Sequence, residues 1–478
     1  PATIKFKLQT CCFSQIDSIV PKLESERIAK YPDAPPCPTV ENNVAIKNSP
    51  TRTSTNSSSD TTPDKGRTLQ LYHLSRVVEK AVTLQRALEI SYSNSVELDT
   101  EKITIDEAHG RILSEDIKSH VNDPIFDNSA MDGWAVRIED CKIGSKLKII
   151  GTSQAGKFNP PPVRKGEACK IMTGAPIPKG ANSILIIENS KEENGLVTIL
   201  ENPKPNYIRK LGENITIGQT ILKSGTLLSP FEISLAATSG NWQVNVVKKP
   251  IVSIISTGDE LVHPSKKLKD GEIFESNSFG ISALIRKMGG NPVHFGHISD
   301  SMEELRKTLN SASEKSDLII TSGGVSMGEW DLVRKIMHEE GKIKFWKIKL
   351  RPGGPPLFGT WKNTPIFGLP GNPVSSHVVF ISLVAPWLNK IMGSDENNGY
   401  KLGNRVKIRL KDPVKGAPGK ICMRRIYVEL EDDELVGHVR THQGSGNINS
   451  LVTHNALTLL PPDTDGLTGQ LIDAILLC

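Results

Sequence analysis

Three short segments of this chain combine glycines with carboxylates in a pattern that could bind a phosphate and a metal ion. They are Ser256–Glu260, Thr321–Asp331 and Leu369–Pro373. Main-chain N–H groups of glycine-rich turns converge on anions, and a helix N-terminus that follows adds positive potential. Glu260 and Asp331 would repel such an anion unless Mg²⁺ lay between the phosphate and the carboxylates. The pattern therefore predicts an anion site that also holds Mg²⁺.

A single glycine-rich turn is also a common way to end a strand, and on its own it is weak evidence for a site. Three such turns on successive strand ends, two of them with carboxylates, favour a ligand site. The sequence contains neither a GxxxxGK[ST] nor a GxGxxG pattern. This argues against ordinary nucleoside-triphosphatase and dinucleotide-binding sites.

The segments that position these loops alternate between buried strands and amphipathic helices. The predicted strands are Ile251–Ile255, Pro292–Phe295, Leu318–Thr321, Ile343–Ile348 and Ile366–Phe367; the predicted helices are Phe279–Met288, Met302–Leu309, Leu332–His338 and Val374–Ile391. Such alternation predicts a doubly wound α/β domain, a parallel sheet with helices on both faces. Ligands of these sheets bind beyond the carboxyl ends of the strands, where the three loops lie.

The rest of the chain divides by composition. Residues 1–72 read as a partial upstream segment followed by a disordered linker rich in Ser, Thr and Pro. Residues 73–247 predict a helical base, with Val78 to Leu88 on one helix, and an inserted, mostly β lobe. The α/β domain covers 248–394, and the short alternating strands of 395–478 predict a small C-terminal β-barrel or sandwich.

Composition excludes several classes of protein. A net charge of +5 and mixed basic and acidic residues argue against a nucleic-acid partner. The seven cysteines are scattered, without metal-ligand spacing, and suit a reducing compartment. The apolar run from Val378 to Leu388 is too short to span a bilayer, and no signal peptide opens the chain. We expect a cytoplasmic protein without membrane insertion.

Several ordered segments resemble the molybdopterin molybdotransferase family, which includes MoeA, the gephyrin E domain and cinnamon. Ser322–Asp331 resembles the signature loop of its molybdopterin-binding domain, and Pro124–Ala135 and Ile171–Pro176 resemble two further hallmark stretches. Leu369–Ser375 and His442–Ser445 match later family positions in the same order. The resemblance runs from about Leu74 to Cys478 and implies a MoeA-like multidomain fold.

The resemblance implies a reaction in molybdenum cofactor biosynthesis. Enzymes of this family hydrolyse the phosphoanhydride of adenylylated molybdopterin with Mg²⁺, load molybdate onto the dithiolene and release AMP. It implies catalytic roles for Asp132, Thr173, Glu260, Asp300 and Asp331, of which Glu260 and Asp331 would hold the metal. The pterin phosphate and adenylate would lie against Ser322, Gly323, Gly324, Ser326, Gly328, Pro370, Gly371 and Asn372.

Molybdate is a tetrahedral dianion and needs fixed cationic donors and a hydroxyl. The matching family positions are Lys347, Arg351, Arg425 and Ser445. Outside the family context, a single lysine or arginine is usually a solvated surface charge.

The chain departs from the family pattern at three positions. Asn214 replaces the usual Asp of the segment Gly212–Ile215, so either one cleft carboxylate is missing or the position only orders the loop Ile208–Ile217. Arg351 replaces the lysine of a Lys-Pro-Gly segment, and Glu275 replaces a frequent Asp.

The resemblance also implies partners. Asp132 and Thr173 would come from the second subunit of a homodimer. The adenylylated substrate would come from an upstream molybdopterin adenylyltransferase domain or protein, as in fused animal proteins, of which the chain would be the C-terminal part. The alternatives are a gephyrin-like scaffold that binds a receptor loop peptide and a nucleotide-dependent hydrolase unrelated to molybdenum. A peptide groove could be suspected at the apolar residues Leu459–Leu460, but we interpret them as part of the core or of the dimer interface.

Overall fold

The computed structural model describes residues 78–325, 331–394 and 398–477, which belong to the compact unit Leu74–Cys478. The predicted linker within 1–72 and the site residues Ser326 and Gly328 lie outside the described residues.

The prediction of one helix from Val78 to Leu88 is wrong. Glu79–Val82 is a strand, and the helix is Leu84–Tyr92. Thr83 separates them because its hydroxyl accepts a hydrogen bond from the Arg86 N–H (3.1 Å), which fixes the start of the helix. The strand forms because it pairs in parallel with Lys342–Ile348, a partner that local periodicity does not reveal.

The central sheet has seven strands and is mixed, whereas the sequence predicts a parallel sheet. In spatial order the strands are Glu79–Val82, Lys342–Ile348, Leu357–Trp361, Thr364–Leu369, Leu318–Ser322, Ile251–Thr257 and Asn291–Ile298. Leu357–Trp361 was not predicted, and it runs antiparallel to both of its neighbours. The four strands from Thr364–Leu369 to Asn291–Ile298 are parallel, and they carry the predicted loops.

Helices cover both faces of this sheet because successive strand residues point to opposite sides. Ile254 belongs to one hydrophobic core and Ile255 to the other, and Ile320 and Ile319 divide in the same way. The helices are Asn277–Lys287, Met302–Lys315, Leu332–Glu339 and a run made of Pro373–Val379, a π-helical segment Phe380–Val384 and Ala385–Ile391. The predicted helices on both faces are confirmed.

The run Pro373–Ile391 is long and apolar enough, by length and composition, to cross a membrane. However, 72% of it is buried inside the protein, as is usual for the core helix of a globular protein. Trp387 donates its indole N–H to the Ser91 carbonyl (3.0 Å), which ties this run to the helix Leu84–Tyr92.

The β lobe is a six-stranded sheet with a buried core on each face. Its strands in spatial order are Ser183–Ile186, Gly133–Val136, Glu167–Ile171, Lys146–Ser153, Leu196–Ile199 and Ser190–Glu193. Short 3₁₀ helices connect strands of this sheet at Ile138–Asp140 and Ile187–Asn189, and a third, Pro205–Tyr207, follows its last strand in the chain.

The base below this lobe holds two-stranded ladders and one helix. The ladders pair Thr100–Thr104 with Gln243–Val247, Ile117–Lys118 with Thr220–Leu222, and Asn128–Ser129 with Ile208–Arg209. A 3₁₀ turn, Ile105–Glu107, follows the first strand. The helix Pro230–Thr238 begins at a Ser229–Glu232 capping box, so its first N–H groups are satisfied locally.

The C-terminal strands form a closed barrel. Of the two folds predicted for this region, the barrel is therefore correct and the sandwich is not. Its strands in spatial order are Gly403–Leu410, Glu434–His438, Arg425–Glu431, Ala456–Thr458 and Leu471–Leu477. A short helix, Asn449–Val452, precedes the fourth strand, and Ile421–Cys422 pairs with Leu350–Arg351 outside the barrel. Leu460 is buried in the barrel core and Leu459 packs against the core of the α/β region, as predicted.

Candidate active site

A cavity of about 660 Å³ lies at the carboxyl ends of the parallel strands. It brings the three predicted loops together. The predicted site residues that line it are Glu260, Asp300, Asp331, Ser322, Gly323, Gly324, Pro370, Gly371 and Asn372. A volume of this size accommodates a ligand as large as a nucleotide.

The loops meet because their strands are neighbours. Leu318–Ser322 pairs in parallel with Ile251–Thr257 on one side and Thr364–Leu369 on the other. At the strand end, the Gly323 N–H donates to the Leu369 carbonyl (3.1 Å). Gly323 has φ +97°, and a Cβ there would lie 2.8 Å from the Thr257 carbonyl oxygen, so only glycine fits this close approach.

Three helices begin at this cavity. Their N-cap residues are Ser276, Asp331 and Asn372, and all three line it. Each helix begins with N–H groups that have no partner within the helix, and its dipole places partial positive charge at this end. The cavity therefore favours an anion, as the sequence predicts.

The cavity also concentrates carboxylates. Glu260, Asp300 and Asp331 line it, and Asp259 accepts a hydrogen bond from the Asp300 N–H (2.9 Å). Burial raises the pKa of the Asp300 carboxyl, and the neighbouring negative charges of Asp259 and Glu260 raise this pKa further. A site that combines helix N-termini with crowded carboxylates suits a phosphate together with a divalent cation.

Asn277 is a site residue that the sequence analysis did not single out. Its side-chain Nδ2 donates to Ser322 Oγ (2.8 Å) and to the Gly371 carbonyl (2.7 Å), so it ties two of the three loops to the start of the helix Asn277–Lys287. Its neighbour Glu275 is buried and accepts hydrogen bonds from the Ser256 hydroxyl (3.2 Å) and the Ser278 N–H (2.7 Å). No local signal identifies Asn277, because its partners Ser322 and Gly371 are distant in sequence.

Asp132 and Thr173 lie together but do not line the cavity of their own chain. Asp132 Oδ1 accepts hydrogen bonds from the Thr173 N–H (2.7 Å) and from its hydroxyl (3.1 Å). The pair forms because Gly133–Val136 and Glu167–Ile171 run antiparallel and place these residues at the same end. Both side chains are exposed, and each follows an exposed methionine in the chain, Met131 and Met172.

The predicted molybdate residues lie on segments that adjoin the cavity without lining it. Lys347 follows Trp346, whose indole donates to the carbonyl of the cavity residue Val325 (3.0 Å). The Lys347 Nζ lies 4.2 Å from the centre of the Trp346 ring. The Arg351 carbonyl accepts from the Met423 N–H (2.7 Å), and the Ser445 carbonyl accepts from the Val374 N–H (3.0 Å).

Arg425 is fully buried, not a surface cation. Its Nε donates to Ser450 Oγ (2.9 Å) and its Nη2 to the Gly444 carbonyl (2.9 Å), whereas its Nη1 has no hydrogen-bond partner among the described residues. Burial lowers the pKa of the guanidinium to about 10. Arg425 thus holds the loop that leads to Gly446, which lines the cavity. Direct contact of Arg425 with molybdate stays a prediction.

Asn214 has a structural partner. Its Nδ2 donates to Asp123 Oδ2 (3.0 Å), and its backbone N–H donates to the Asp123 carbonyl (2.9 Å). Asn214 does not line the cavity of its own chain. The contact favours the interpretation in which this position orders its loop.

We expect Asn214→Asp to destabilise the protein by about 0.5–1 kcal/mol at pH 7, because it places a second carboxylate against that of the half-buried Asp123. The repulsion raises the pKa of one carboxyl above its value in the unfolded chain. The loss of stability should therefore be present at pH 7 and disappear as the pH falls below about 4. Urea unfolding of both forms at pH 7 and pH 4 measures the difference; equal stability at pH 7 would contradict the assigned contact.

Family models match most of the described chain. Residues 78–240 match the MoeA N-terminal region (domain I and II), 253–390 a probable molybdopterin binding domain, and 407–477 the MoeA C-terminal region (domain IV).

Curated relatives cover most of the same region. A molybdopterin molybdenumtransferase of Haemophilus influenzae is 36% identical over 364 residues, which is 76% of this chain and 89% of the relative. One from a Nostoc species is 35% identical, over 76% of this chain and 85% of the relative. Gephyrin of Dictyostelium discoideum is 34% identical, over 80% of this chain and 60% of gephyrin.

A solved structure has the same fold. The molybdopterin biosynthesis MoeA protein of Pyrococcus horikoshii OT3 superposes with a TM-score of 0.70 at 30% identity. The match covers 83% of this chain and 100% of the Pyrococcus horikoshii chain. The MoeA-like fold expected from the sequence is thereby confirmed.

Proposed function

Since the chain belongs to the molybdopterin molybdenumtransferase (MoeA) family, we propose that it inserts molybdenum from molybdate into adenylylated molybdopterin with Mg²⁺ and releases AMP. One observation carries the proposal. A single cavity holds three helix N-termini and the carboxylates of Glu260, Asp300 and Asp331. A phosphoanhydride with a divalent cation has the charges that this combination fits.

In the proposed complex, the anhydride phosphates lie against the helix N-termini and the turns at Gly323, Gly324 and Gly371. Apart from the Gly323 N–H, which donates to the Leu369 carbonyl, backbone N–H groups there can bind phosphate oxygens without a change of shape, so they hold the reacting phosphorus in place. Asn277 supports this arrangement because it ties Ser322 and Gly371 to the start of a helix.

The crowding of Asp259, Glu260 and Asp300 is the observation that fits Mg²⁺, because a cation would offset the repulsion among these carboxylates, which adds to burial in raising the pKa of Asp300. Glu260 and Asp331 would hold the ion, with Asp300 beside them. When bound, Mg²⁺ would neutralise charge on the anhydride and polarise its phosphorus.

Hydrolysis of the anhydride needs a proton acceptor. Burial, the larger cause of the raised pKa of Asp300, persists when a cation is bound, so we assign this carboxylate to accept one proton from the attacking water. One P–O bond forms to the water oxygen and the P–O bond to the bridging oxygen breaks. The products are AMP and molybdopterin, and the proton is then released to solvent.

Molybdate would bind where Lys347, Arg351, Arg425 and Ser445 meet the cavity edge. On binding to the two thiol sulfurs of molybdopterin, it loses one oxygen as water with both thiol protons. The buried guanidinium of Arg425, whose Nη1 has no hydrogen-bond partner among the described residues, supports an anion nearby, since a buried cation is stabilised by a negative charge.

We also propose that the active form is a homodimer, in which Asp132 and Thr173 of one chain complete the cavity of the other. Their exposure and their position outside their own cavity support this arrangement. An upstream adenylyltransferase would supply the substrate. A cytoplasmic location accords with the free thiols of Cys141, Cys169 and Cys422. A gephyrin-like receptor-binding role stays a prediction without a supporting contact in the described residues.

The experiment that tests the function supplies adenylylated molybdopterin, Mg²⁺ and molybdate to the purified protein. We expect AMP release together with a molybdenum-loaded pterin, and we expect neither product when Mg²⁺ is replaced by EDTA. AMP release without molybdenum retained on a pterin would instead identify a nucleotide hydrolase unrelated to molybdenum.

A further inference from the structure

One edge of the cavity carries an apolar strip in a site whose other walls are largely polar. The strip consists of Leu261, Ile273 and Phe274, all of which line the cavity. It is formed by a short parallel ladder in which Leu261 pairs with Ile273 and Val262 with Phe274. Phosphates and carboxylates gain nothing from such a surface, so the strip calls for a different part of the ligand.

The strip is attached firmly to the polar part of the cavity. The Ile273 N–H donates to the Glu260 carbonyl (2.8 Å), and the Glu275 N–H donates to the Val262 carbonyl (2.9 Å). The buried Glu275 carboxylate accepts from Ser256 and Ser278, which fixes the residue that follows Phe274. Phe274 is therefore held between the proposed metal site and the start of a helix.

The Phe274 ring is available to a ligand. The side chain is 45% exposed although it lines a cavity. It makes no ring–ring contact with the described residues. Phe279, at 46% exposure, differs because its ring lies against His263 (5.6 Å between centroids) and His294 (6.1 Å), and it does not line the cavity.

We propose that Phe274, flanked by Leu261 and Ile273, is the binding residue that stacks against the planar nitrogen heterocycle of the substrate. The inference rests on the proposed function, whose substrate joins two such rings, an adenine and a pterin, through phosphates. An aromatic face that is fixed beside a phosphate site binds a flat ring by stacking and by exclusion of water. The strip would thereby favour a phosphate compound that carries a planar heterocycle over a phosphate compound without one.

The test pairs two ligands that differ only in the ring. Calorimetry measures the affinity of the full protein for AMP and for ribose 5-phosphate, and a third titration uses 6-hydroxymethylpterin monophosphate. Alanine substitution of a stacked aromatic weakens base binding by roughly tenfold or more. We expect this loss for Phe274→Ala with AMP or with the pterin, and no change with ribose 5-phosphate. The ligand whose affinity falls in Phe274→Ala shows which ring, adenine or pterin, stacks on Phe274.

Two further variants separate stacking from a structural effect. Phe279→Ala removes an equally exposed ring outside the cavity and should leave all three affinities unchanged. Phe274→Trp keeps an aromatic face and should retain the affinity that Phe274→Ala loses. Thermal melting checks that each variant is folded.

The proposal is overturned if both ring-bearing ligands bind Phe274→Ala as tightly as they bind the wild type. It is equally overturned if Phe274→Ala lowers the affinity for ribose 5-phosphate by the same factor as the affinity for the ring-bearing ligands. It is also overturned if wild type binds neither ring-bearing ligand. If wild type forms cofactor and releases AMP while Phe274→Ala binds normally, this inference fails and the proposed function stands. Absence of AMP release by wild type would instead reject the proposed function.

Discussion

Asp331→Asn is expected to reduce Mg²⁺-dependent AMP release to about a hundredth of the wild-type rate or less, with the fold intact. Asp331 lines the cavity and is the N-cap residue of the helix Leu332–Glu339. Asn has nearly the same shape and is an equally good N-cap residue, so the helix should still form. Asn cannot neutralise a cation, however, and the loss of one metal carboxylate is expected to raise the barrier by about 3 kcal/mol.

The measurement is the rate of AMP release over a Mg²⁺ titration, with melting temperature as the check on folding. Asp99→Asn serves as the matched control, because it removes one carboxylate that lies outside the cavity and pairs with Lys248 (3.1 Å). The control should keep the wild-type rate. A folded Asp331→Asn protein with normal turnover would exclude Asp331 from the metal site.

A heterodimer of one Asp132→Asn subunit and one Asp331→Asn subunit is expected to recover about half of the wild-type activity, although each homodimer is inactive. In the proposed dimer, each site takes Asp331 from one chain and Asp132 from the other, so the heterodimer has one intact site of two. The side-chain oxygen of the substituted asparagine can still accept the hydrogen bonds that Asp132 receives from Thr173, so the loss should not come from misfolding.

Co-expression with two affinity tags provides the heterodimer, and AMP release is measured per mole of dimer. The control pairs one Asp331→Asn subunit with one Glu260→Gln subunit, because both residues line the same cavity of a chain. In that heterodimer each site keeps one defect, so no activity should return. If the Asp132→Asn and Asp331→Asn heterodimer also stays inactive, Asp132 does not act across the dimer.

Much of the candidate site follows from short stretches of sequence. Ile254 and Ile255 are neighbours in the chain and pack into different cores, because successive residues of a strand point to opposite faces and this strand is covered on both. The glycine at 323 is required by its own positive φ and by a close approach to the next strand. Because parallel strands end at the same edge of a sheet, this local information predicts that the three loops meet, as they do in the cavity.

The two strands that the sequence did not predict were missed for the same reason. Local periodicity predicts a helix over Glu79–Val82 and no strand at Leu357–Trp361, because each of these strands is decided by distant pairing partners. The apolar pattern of Val78 to Leu88 fits one helix face, but pairing with Lys342–Ile348 outweighs that local preference at Glu79–Val82.

The sequence by itself determined the alternating strands and helices around the site, the loops that carry the glycines and carboxylates, and the family to which they point. Tertiary structure alone decided that Asn277 joins Ser322 to Gly371, that Arg425 is buried, and that Asn214 binds Asp123. Glycine turns and strand periodicity depend on neighbouring residues in the chain, whereas these contacts depend on residues brought together by folding. A side chain's burial and hydrogen-bond partners are set by that packing, so no local pattern specifies them.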